Sequence, residues 1–218
     1  AALDAMGLNW RYLALPCEDT QLRVVLAGMH AVNCRGLNVT IPHKQTVAGL
    51  CTELSPLAER LGAVNTLLPL AEGGWHGTNT DVEGFLAPLG EPTLWQNKRA
   101  VVIGCGGSAR AVVAGLQTLQ LQSLHVVGRR AEALNRFVTD LQTDDAPVHA
   151  VVDQDAGLRK LIESVDLVVN TTPVGMAQHG DPSDMPLGQE LWEALQPPAI
   201  LYDLIYTPRP TAWLAQAA

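Results

Sequence analysis

The chain has 218 residues, enough for one large domain or two modest ones. Apolar residues make up 47% of it and charged residues 17%, a balance that supports a substantial core and argues against disorder. The formal net charge of -8 argues against nucleic acid or an anionic membrane surface as a partner. No apolar stretch approaches the ~20 residues that span a bilayer, and we recognise neither a signal peptide nor a transit peptide.

The cysteines point to a reducing compartment. They lie far apart and form no CxxC pair, which suits free thiols better than a disulfide framework. His30 and Cys34 are spaced to share a helix face, but two potential ligands do not make a metal site. We therefore expect a cytoplasmic protein without a metal ion. The cysteines are Cys17, Cys34, Cys51 and Cys105.

The first 80 residues are predicted to alternate between strands and helices, which favours a small α/β domain. Residues 8–15 alternate loosely between apolar and polar side chains, a pattern that predicts a strand. Asp19 and Thr20 are typical caps for the helix that follows. Ser55 followed by Pro56 is typical of another helix start. The remaining predicted elements are strands at residues 36–40 and 64–70 and helices at residues 43–50, 56–61 and 82–89.

Glu91-Pro92 and the polar residues 96–99 predict a surface connection to a second unit. We therefore place the boundary near residues 80–98 and divide the chain into domains of residues 1–80 and 81–218. In the second domain, helices predicted at residues 109–119 and 131–141 separate apolar strands. This alternation is typical of a Rossmann-like, doubly wound parallel sheet. The predicted strands are residues 101–103, 123–127, 148–152, 167–170 and 199–204.

Residues 101–111, VVIGCGGSARA, carry the strongest local signal in the chain. Three apolar residues run into Gly104, Gly106 and Gly107 and then into an apolar-periodic segment, which predicts a buried strand, a tight turn and a helix N-terminus. Free N–H groups at such a helix start bind phosphates. A glycine cluster alone is weak evidence, but the flanking strand and helix predict a dinucleotide site.

The end of the next strand distinguishes NAD from NADP. In NAD sites, an acidic residue about 20 positions beyond the glycine loop normally binds the ribose 2′-hydroxyl. Here Gly128, Arg129 and Arg130 occupy that turn, without a carboxylate. The planar fork of arginine matches a phosphate, and the 2′-phosphate is what distinguishes NADP. NADP(H) is therefore the predicted cofactor; alternatively, the two arginines are solvated residues that begin a surface helix.

Three polar stretches at predicted strand ends suggest a ligand crevice. They read NVTIPHK at residues 38–44, GAVNT at residues 62–66 and GTNTD at residues 77–81. Taken alone, Lys44 would be an ordinary surface lysine. In an open α/β sheet, however, ligands bind beyond the carboxyl ends of the strands, where these residues are expected. A polyhydroxylated carboxylate suits such donors and acceptors.

These stretches, with the glycine loop, NTTPVGM at residues 170–176 and DLIYTP at residues 203–208, resemble the shikimate dehydrogenase family over essentially the whole chain. The resemblance implies reversible reduction of 3-dehydroshikimate to shikimate by NADPH, on the route to chorismate and aromatic amino acids. Hydride would pass between the nicotinamide C4 and the substrate C3. The resemblance also implies that residues 1–80 bind the substrate and residues 81–218 bind NADP.

The resemblance assigns roles to individual residues. It implies that Lys44 and Asp81 are the catalytic pair, and we hypothesise that Lys44 relays the proton while Asp81 orients Lys44 and the substrate. It implies that Thr40, Asn65 and Tyr206 bind the substrate. The implied NADP contacts are Gly104, Cys105, Gly106, Gly107, Ser108, Gly128, Arg129, Arg130, Thr171 and Leu204.

Three departures from the family pattern lead to further expectations. Two serines that hold the substrate carboxylate in the family have no equivalent before Ala1, and a glutamine-bearing C-terminal segment has none after Ala218. We therefore expect a piece of a longer protein that binds cofactor and turns over substrate poorly or not at all. The nucleotide turn usually reads asparagine-arginine-threonine followed by another basic residue. Here it reads Gly128-Arg129-Arg130, with Ala133 at the later position.

Other functions stay open at this point. A quinate/shikimate dehydrogenase of the same family would favour NAD and usually carry an acid in the turn at residues 128–130. A non-catalytic NADPH-binding relative or remnant is a second alternative, although the intact Lys44 and Asp81 argue against decay. A methylene-tetrahydrofolate dehydrogenase shares the two-domain layout but would not be expected to combine NVTIPHK with GTNTD. The expected partner is a small molecule, and the chain would be a monomer or homodimer.

Overall fold

The computed structural model describes residues 2–217 and contains two sheets, the first built by the N-terminal third of the chain. The first sheet has the strand order β1-β3-β4-β2, antiparallel except for the parallel pair of β2 with β4. A 3-10 turn at Asp19–Gln21 precedes the second helix. The elements are α1 (Ala2–Ala5), α2 (Leu22–Ala31), β1 (Leu37–Asn38), α3 (Lys44–Ala48), β2 (Glu53–Leu54), α4 (Pro56–Leu61), β3 (Thr66–Pro69) and β4 (Trp75–Thr78).

Local chemistry explains the boundaries of α4, which the sequence predicts correctly. The Ser55 hydroxyl accepts a hydrogen bond from the Ala58 N–H at 3.2 Å, and Pro56 occupies the first helical position. Gly62 ends the helix in the left-handed conformation at φ 58°. This end delivers the chain to the buried Val64, whose N–H donates to the carbonyl of Lys44 at 2.8 Å.

The prediction of a strand at residues 8–15 is wrong. The segment has no regular secondary structure, and Tyr12 and Leu13 are 75% and 71% exposed. A strand needs a hydrogen-bonded neighbour, and among residues 2–217 this segment pairs with none. One hydrogen bond between side chains links it to β1, from the Tyr12 hydroxyl to Asn38 Oδ1 at 3.3 Å.

The rest of the chain forms a five-stranded sheet, all parallel, in the order β7-β6-β5-β8-β9. The predicted Rossmann-like α/β class is confirmed, with predicted strand ends within two residues of those observed. The elements are α5 (Asp81–Leu86), β5 (Arg99–Ile103), α6 (Gly107–Leu116), β6 (Ser123–Gly128), α7 (Ala131–Leu141), β7 (Val148–Val152), α8 (Leu158–Ile162), β8 (Leu167–Asn170), α9 (Gln189–Trp192), β9 (Ile200–Asp203) and α10 (Ala212–Ala217).

Helices cover both faces of this sheet. Successive residues of β5 point to opposite faces, so the strand contributes to two cores. Val102 packs in one core with Val112 of α6, and Val101 packs in the other with Trp213 of α10. Since β5 lies between β6 and β8, the chain reverses its winding direction there, and a crevice forms beyond the carboxyl ends of β5 and β8. None of the helices described between residues 2 and 217 is long and apolar enough to cross a membrane.

Helix α5 connects the two sheets and packs closely on α6. A side chain at Gly115 of α6 would place its Cβ 3.3 Å from both Leu86 Cγ and Phe85 Cδ1, so glycine is what allows this approach. The contact holds the helix whose first residue is Asp81. The domain boundary predicted near residues 80–98 stays a prediction.

Candidate functional site

A cleft of about 680 Å³ lies where the carboxyl ends of the second sheet face the first sheet. Its position is the switch point expected of an open α/β sheet. Eight of the predicted site residues line this cleft: Thr40, Lys44, Asn65, Asp81, Ser108, Thr171, Leu204 and Tyr206.

Lys44 reaches the cleft from the first turn of α3. A tight turn precedes the helix, in which the His43 N–H donates to the Thr40 carbonyl at 2.9 Å. The Lys44 ammonium donates to Asp81 Oδ2 at 2.7 Å and to Ser108 Oγ at 3.3 Å. The Lys44 side chain is only 12% exposed, so this amine is fixed between α5 and α6 rather than solvated.

Asp81 is held from the side opposite Lys44. Its second oxygen, Oδ1, accepts a hydrogen bond from the Asn65 amide at 2.7 Å. Its backbone N–H donates to Asn79 Oδ1 at 2.9 Å, and the Asn79 amide is anchored on the Ala63 carbonyl at 3.0 Å. Both carboxylate oxygens and the main chain are therefore restrained.

Asn65 completes this network from the end of the stretch GAVNT. The same amide nitrogen that bonds Asp81 also donates to Thr80 Oγ1 at 3.0 Å. Its carbonyl oxygen accepts from the Thr80 N–H at 3.0 Å and the Thr66 hydroxyl at 2.9 Å. The three polar stretches that the sequence singles out are thus brought together in one hydrogen-bonded set.

His43 supports the turn before Lys44, and sequence reasoning missed this. Its ring Nδ1 contacts Asp19 Oδ1 and its Nε2 lies 3.0 Å from the Cys17 carbonyl oxygen. The Thr46 hydroxyl is 3.5 Å from the other Asp19 oxygen. These contacts tie the turn to residues 17–19, far earlier in the chain. The sequence shows only that a histidine precedes Lys44.

The glycine loop has the shape that a pyrophosphate requires. Gly104 has φ +105°, and a Cβ there would lie 2.7 Å from Thr171 Oγ1 and 2.9 Å from Thr172 Cγ2. Gly106 is the N-cap of α6, has no side-chain cap, and would place a Cβ in open space with nothing within 4 Å. The first N–H groups of a helix lack intrahelical acceptors, so this end of α6 offers free donors beside open space. These features fit the phosphates of a dinucleotide.

Gly107 connects this loop to the lysine. A Cβ at Gly107 would lie 3.3 Å from the Lys44 Cβ, so the N-terminus of α6 abuts the Lys44 stem. Thr171 lies on the other side of the loop, where its hydroxyl donates to the Ile103 carbonyl at 2.7 Å and supports the loop. The loop and the polar network are therefore adjacent parts of one site.

The basic turn lies beside the loop rather than in the cleft. Gly104 N–H donates to the Val127 carbonyl at 2.8 Å, which places the end of β6 next to the loop. Arg129 and Arg130 are exposed, and neither side chain has a hydrogen bond or ion pair with another residue that the structure describes. The predicted site residues outside the cleft lining are Gly104, Cys105, Gly106, Gly107, Gly128, Arg129 and Arg130.

Close packing explains the glycine of this turn. A Cβ at Gly128 would lie 3.3 Å from Leu134 Cδ1 and 3.6 Å from Cys105 Sγ. Cys105 is thus partly a packing residue under the turn. Sequence reasoning also missed three side chains that line the cleft, Met176, Gln178 and His179. The last two belong to no motif, and only the path of the loop after β8 brings them to the cleft.

The two loop glycines should respond differently to a methyl group. We expect Gly104→Ala to lower the free energy of unfolding by about 1–3 kcal/mol, since it combines left-handed backbone strain with contacts below 3 Å. Gly106→Ala, with negative φ and open space, should leave stability within about 0.5 kcal/mol of the wild-type value. Urea unfolding monitored by tryptophan fluorescence measures both. Equal stability of the two variants would contradict this account of the loop.

Comparisons with known proteins identify the family. The family model for the shikimate dehydrogenase substrate binding domain matches residues 1–67. The shikimate dehydrogenase (NADP(+)) of Synechocystis sp. is 47% identical over 218 residues, which is 100% of this chain and 74% of the relative.

Solved structures are also similar. The shikimate 5-dehydrogenase from Thermus thermophilus in complex with NADP(H) and shikimate has a TM-score of 0.81 at 32% identity, over 99% of this chain and 75% of the other. The quinate dehydrogenase from Corynebacterium glutamicum in complex with NAD has a TM-score of 0.81 at 29% identity, over 99% and 76%. The resemblance seen in the sequence motifs is therefore confirmed, and this chain belongs to the shikimate dehydrogenase family.

Proposed function

We propose that this chain catalyses the reversible, NADP(H)-dependent reduction of 3-dehydroshikimate to shikimate. The observation that carries the proposal is the network of Lys44, Asp81 and Asn65 beside the N-terminus of α6. A charged amine, a carboxylate and an amide then face the same cleft as the loop that fits a dinucleotide. The names of the relatives support the same reaction and cofactor.

The cleft chemistry suits a polyhydroxylated carboxylate. Lys44 Nζ has one N–H beyond those given to Asp81 and Ser108 and can donate it to the substrate, and Asp81 supplies an acceptor for a substrate hydroxyl. Thr40 on the first-sheet side and Tyr206 on the second-sheet side add hydroxyl groups. We assign Thr40, Asn65 and Tyr206 to substrate binding. Residues 1–80 are accordingly proposed as the substrate domain and residues 81–218 as the cofactor domain.

Proton transfer is the step assigned to this chain's own residues. NADP(H), when bound, supplies or accepts the hydride. In the direction of reduction, Lys44 Nζ donates a proton to the substrate carbonyl oxygen as its carbon becomes an alcohol. In the reverse direction the neutral amine takes the hydroxyl proton. Asp81 keeps Nζ aimed at that oxygen, and Asn65 keeps Asp81 in place.

We assign the cofactor to the glycine loop and the basic turn. The free N–H groups at the start of α6, with Gly106 and Ser108, would hold the pyrophosphate. Arg129 and Arg130 would hold the 2′-phosphate, because both are exposed beside the loop without another partner among the described residues. The remaining proposed contacts, with Thr171 and Leu204, lie on the cleft side of the same sheet edge.

An NAD-preferring quinate/shikimate dehydrogenase is the second candidate. The similarity to a quinate dehydrogenase in complex with NAD favours it. The basic turn opposes it, since the arginines follow β6 where NAD sites carry an acid. A non-catalytic relative is opposed by the complete Lys44 network.

The proposed setting is the cytoplasm, with the chain acting as a monomer or homodimer on small molecules. All four cysteines are free thiols, which supports a reducing compartment.

Removing the lysine amine should mainly lower turnover. We expect Lys44→Met to reduce kcat for shikimate oxidation by about 10²–10⁴-fold, the usual contribution of a positioned acid or base, with a smaller change in KM. Initial rates of reduced-cofactor formation measure it. Lys160→Met, at an exposed lysine of α8, is the matched control and should retain wild-type kcat. A Lys44→Met enzyme with wild-type kcat would remove Lys44 from the mechanism.

The basic turn should discriminate between cofactors. We expect Arg129→Ala with Arg130→Ala to raise KM for NADP+ at least about tenfold, since hydrogen bonds to a charged group contribute about 1.5–3 kcal/mol. KM for NAD+ should stay unchanged. Arg136→Ala, an exposed arginine later in α7, is the control and should affect neither cofactor. An unchanged NADP+ KM in the double variant would refute the assignment of these arginines.

A further inference from the structure

Asn170 and Asp203 lie side by side at the carboxyl ends of β8 and β9. They are register partners, and the Asn170 amide donates to Asp203 Oδ1 at 3.0 Å. Asn170 is fully buried, with 0% exposure. Neither residue lines the cleft, yet the loops that follow both of them do.

Asn170 organises the loop after β8. Its carbonyl oxygen accepts the Thr172 N–H at 3.0 Å and the Thr172 hydroxyl at 2.7 Å. Its amide also lies 3.4 Å from the Val174 carbonyl oxygen. These bonds span the loop that carries Thr171, Thr172 and Met176 into the cleft.

Asp203 organises the loop after β9 in the same manner. Its Oδ1 also accepts the Ile205 N–H at 3.1 Å, and its Oδ2 accepts the Thr211 hydroxyl at 2.8 Å. Thr211 is 2% exposed and lies directly before α10. Between these two anchors, the chain carries Leu204 and Tyr206 along the cleft wall.

Three donors converge on this one carboxyl group. Burial raises the pKa of Asp203, and the donors from Ile205, Thr211 and Asn170 oppose that effect. Because these donors are turned away from water, losing their acceptor would leave them unsatisfied. The pair therefore links the two loops through a shared set of hydrogen bonds.

We propose that Asn170 and Asp203 are positioning residues that hold the second-sheet wall of the cleft and thereby set the affinity for the ligands of that wall, the substrate at Tyr206 and the cofactor at Thr171 and Leu204. The effect on substrate affinity rests on the proposed function, whereas the support of the two loops rests on the hydrogen bonds alone. Lys44, Asp81 and Asn65 lie on other segments, so disturbing the pair should change substrate KM more than kcat.

A swap of the two side chains tests the pair. Asn170→Asp places a second carboxyl oxygen 3.0 Å from Asp203 Oδ1, so in an assay at alkaline pH, where both carboxyl groups are ionised, the hydrogen bond becomes a repulsion. We expect KM for shikimate to rise about tenfold and kcat to fall less than about threefold. Adding Asp203→Asn to this variant restores a donor facing an acceptor and should recover part of the lost affinity. Asp203→Asn alone preserves shape and should be the milder single change.

Asp166→Asn is the matched control. Asp166 sits before β8 at the opposite end of the sheet, where it accepts from Lys98 Nζ at 3.1 Å and the Arg99 N–H at 2.9 Å. The substitution therefore removes the charge of an aspartate beside the same sheet, far from the cleft loops. It should leave KM for shikimate at the wild-type value.

Amide hydrogen exchange rates, resolved by NMR, measure the stability of the two loops without any substrate. The Thr172 and Ile205 amides should exchange faster in Asn170→Asp than in Asp166→Asn, and the swap should slow them again. Unchanged exchange at both amides overturns the proposal, as does an active enzyme whose KM for shikimate is the same in Asn170→Asp and wild type. A wild-type chain inactive on shikimate would instead overturn the proposed function, and exchange would still decide whether the pair holds the loops.

Discussion

The partly buried ion pair between Lys44 and Asp81 is the interaction on which the rest of the site depends. It joins α3 of the first sheet to α5, which in turn packs on α6 through the close approach at Gly115. Such a pair adds little net stability, because desolvation offsets much of the attraction. The pair instead positions the amine, since Asn65 holds Asp81 in place and Ser108 accepts a second hydrogen bond from Lys44 Nζ.

The same hydrogen-bond pattern, an asparagine amide that donates to an aspartate, supports both walls of the cleft. On the first-sheet side the Asn65 amide donates to Asp81, and on the second-sheet side the Asn170 amide donates to Asp203. In each case the asparagine carbonyl oxygen accepts the N–H of a nearby threonine, Thr80 or Thr172. In each case fixed donors satisfy the carboxylate, which links the segments that supply them. The difference is that Asp81 faces the cleft, whereas Asp203 acts behind it.

The sequence predicts the parallel sheet well because its strands are buried apolar runs separated by amphipathic helices, and both signals are local. It fails at residues 8–15, where alternation suggests a strand but pairing decides whether one exists. The positions of the three polar stretches at strand ends predict that Lys44, Asn65 and Asp81 meet at one crevice. Their pairing as a catalytic group is predicted only through the resemblance, since the bonds join positions 37 and 16 residues apart. The pairing of Asn170 with Asp203 spans 33 residues and becomes visible only in the strand register. The support of His43 by Asp19 is hidden for the same reason.

We propose that the Lys44 network and the basic turn act together in an NADP-dependent shikimate dehydrogenase. One assay tests this proposal: the purified chain is mixed with shikimate or quinate and either NADP+ or NAD+, and reduced-cofactor absorbance is followed. Shikimate with NADP+ should give the highest kcat/KM of the four combinations. A higher kcat/KM with NAD+ or with quinate would contradict it and favour the quinate/shikimate dehydrogenase instead.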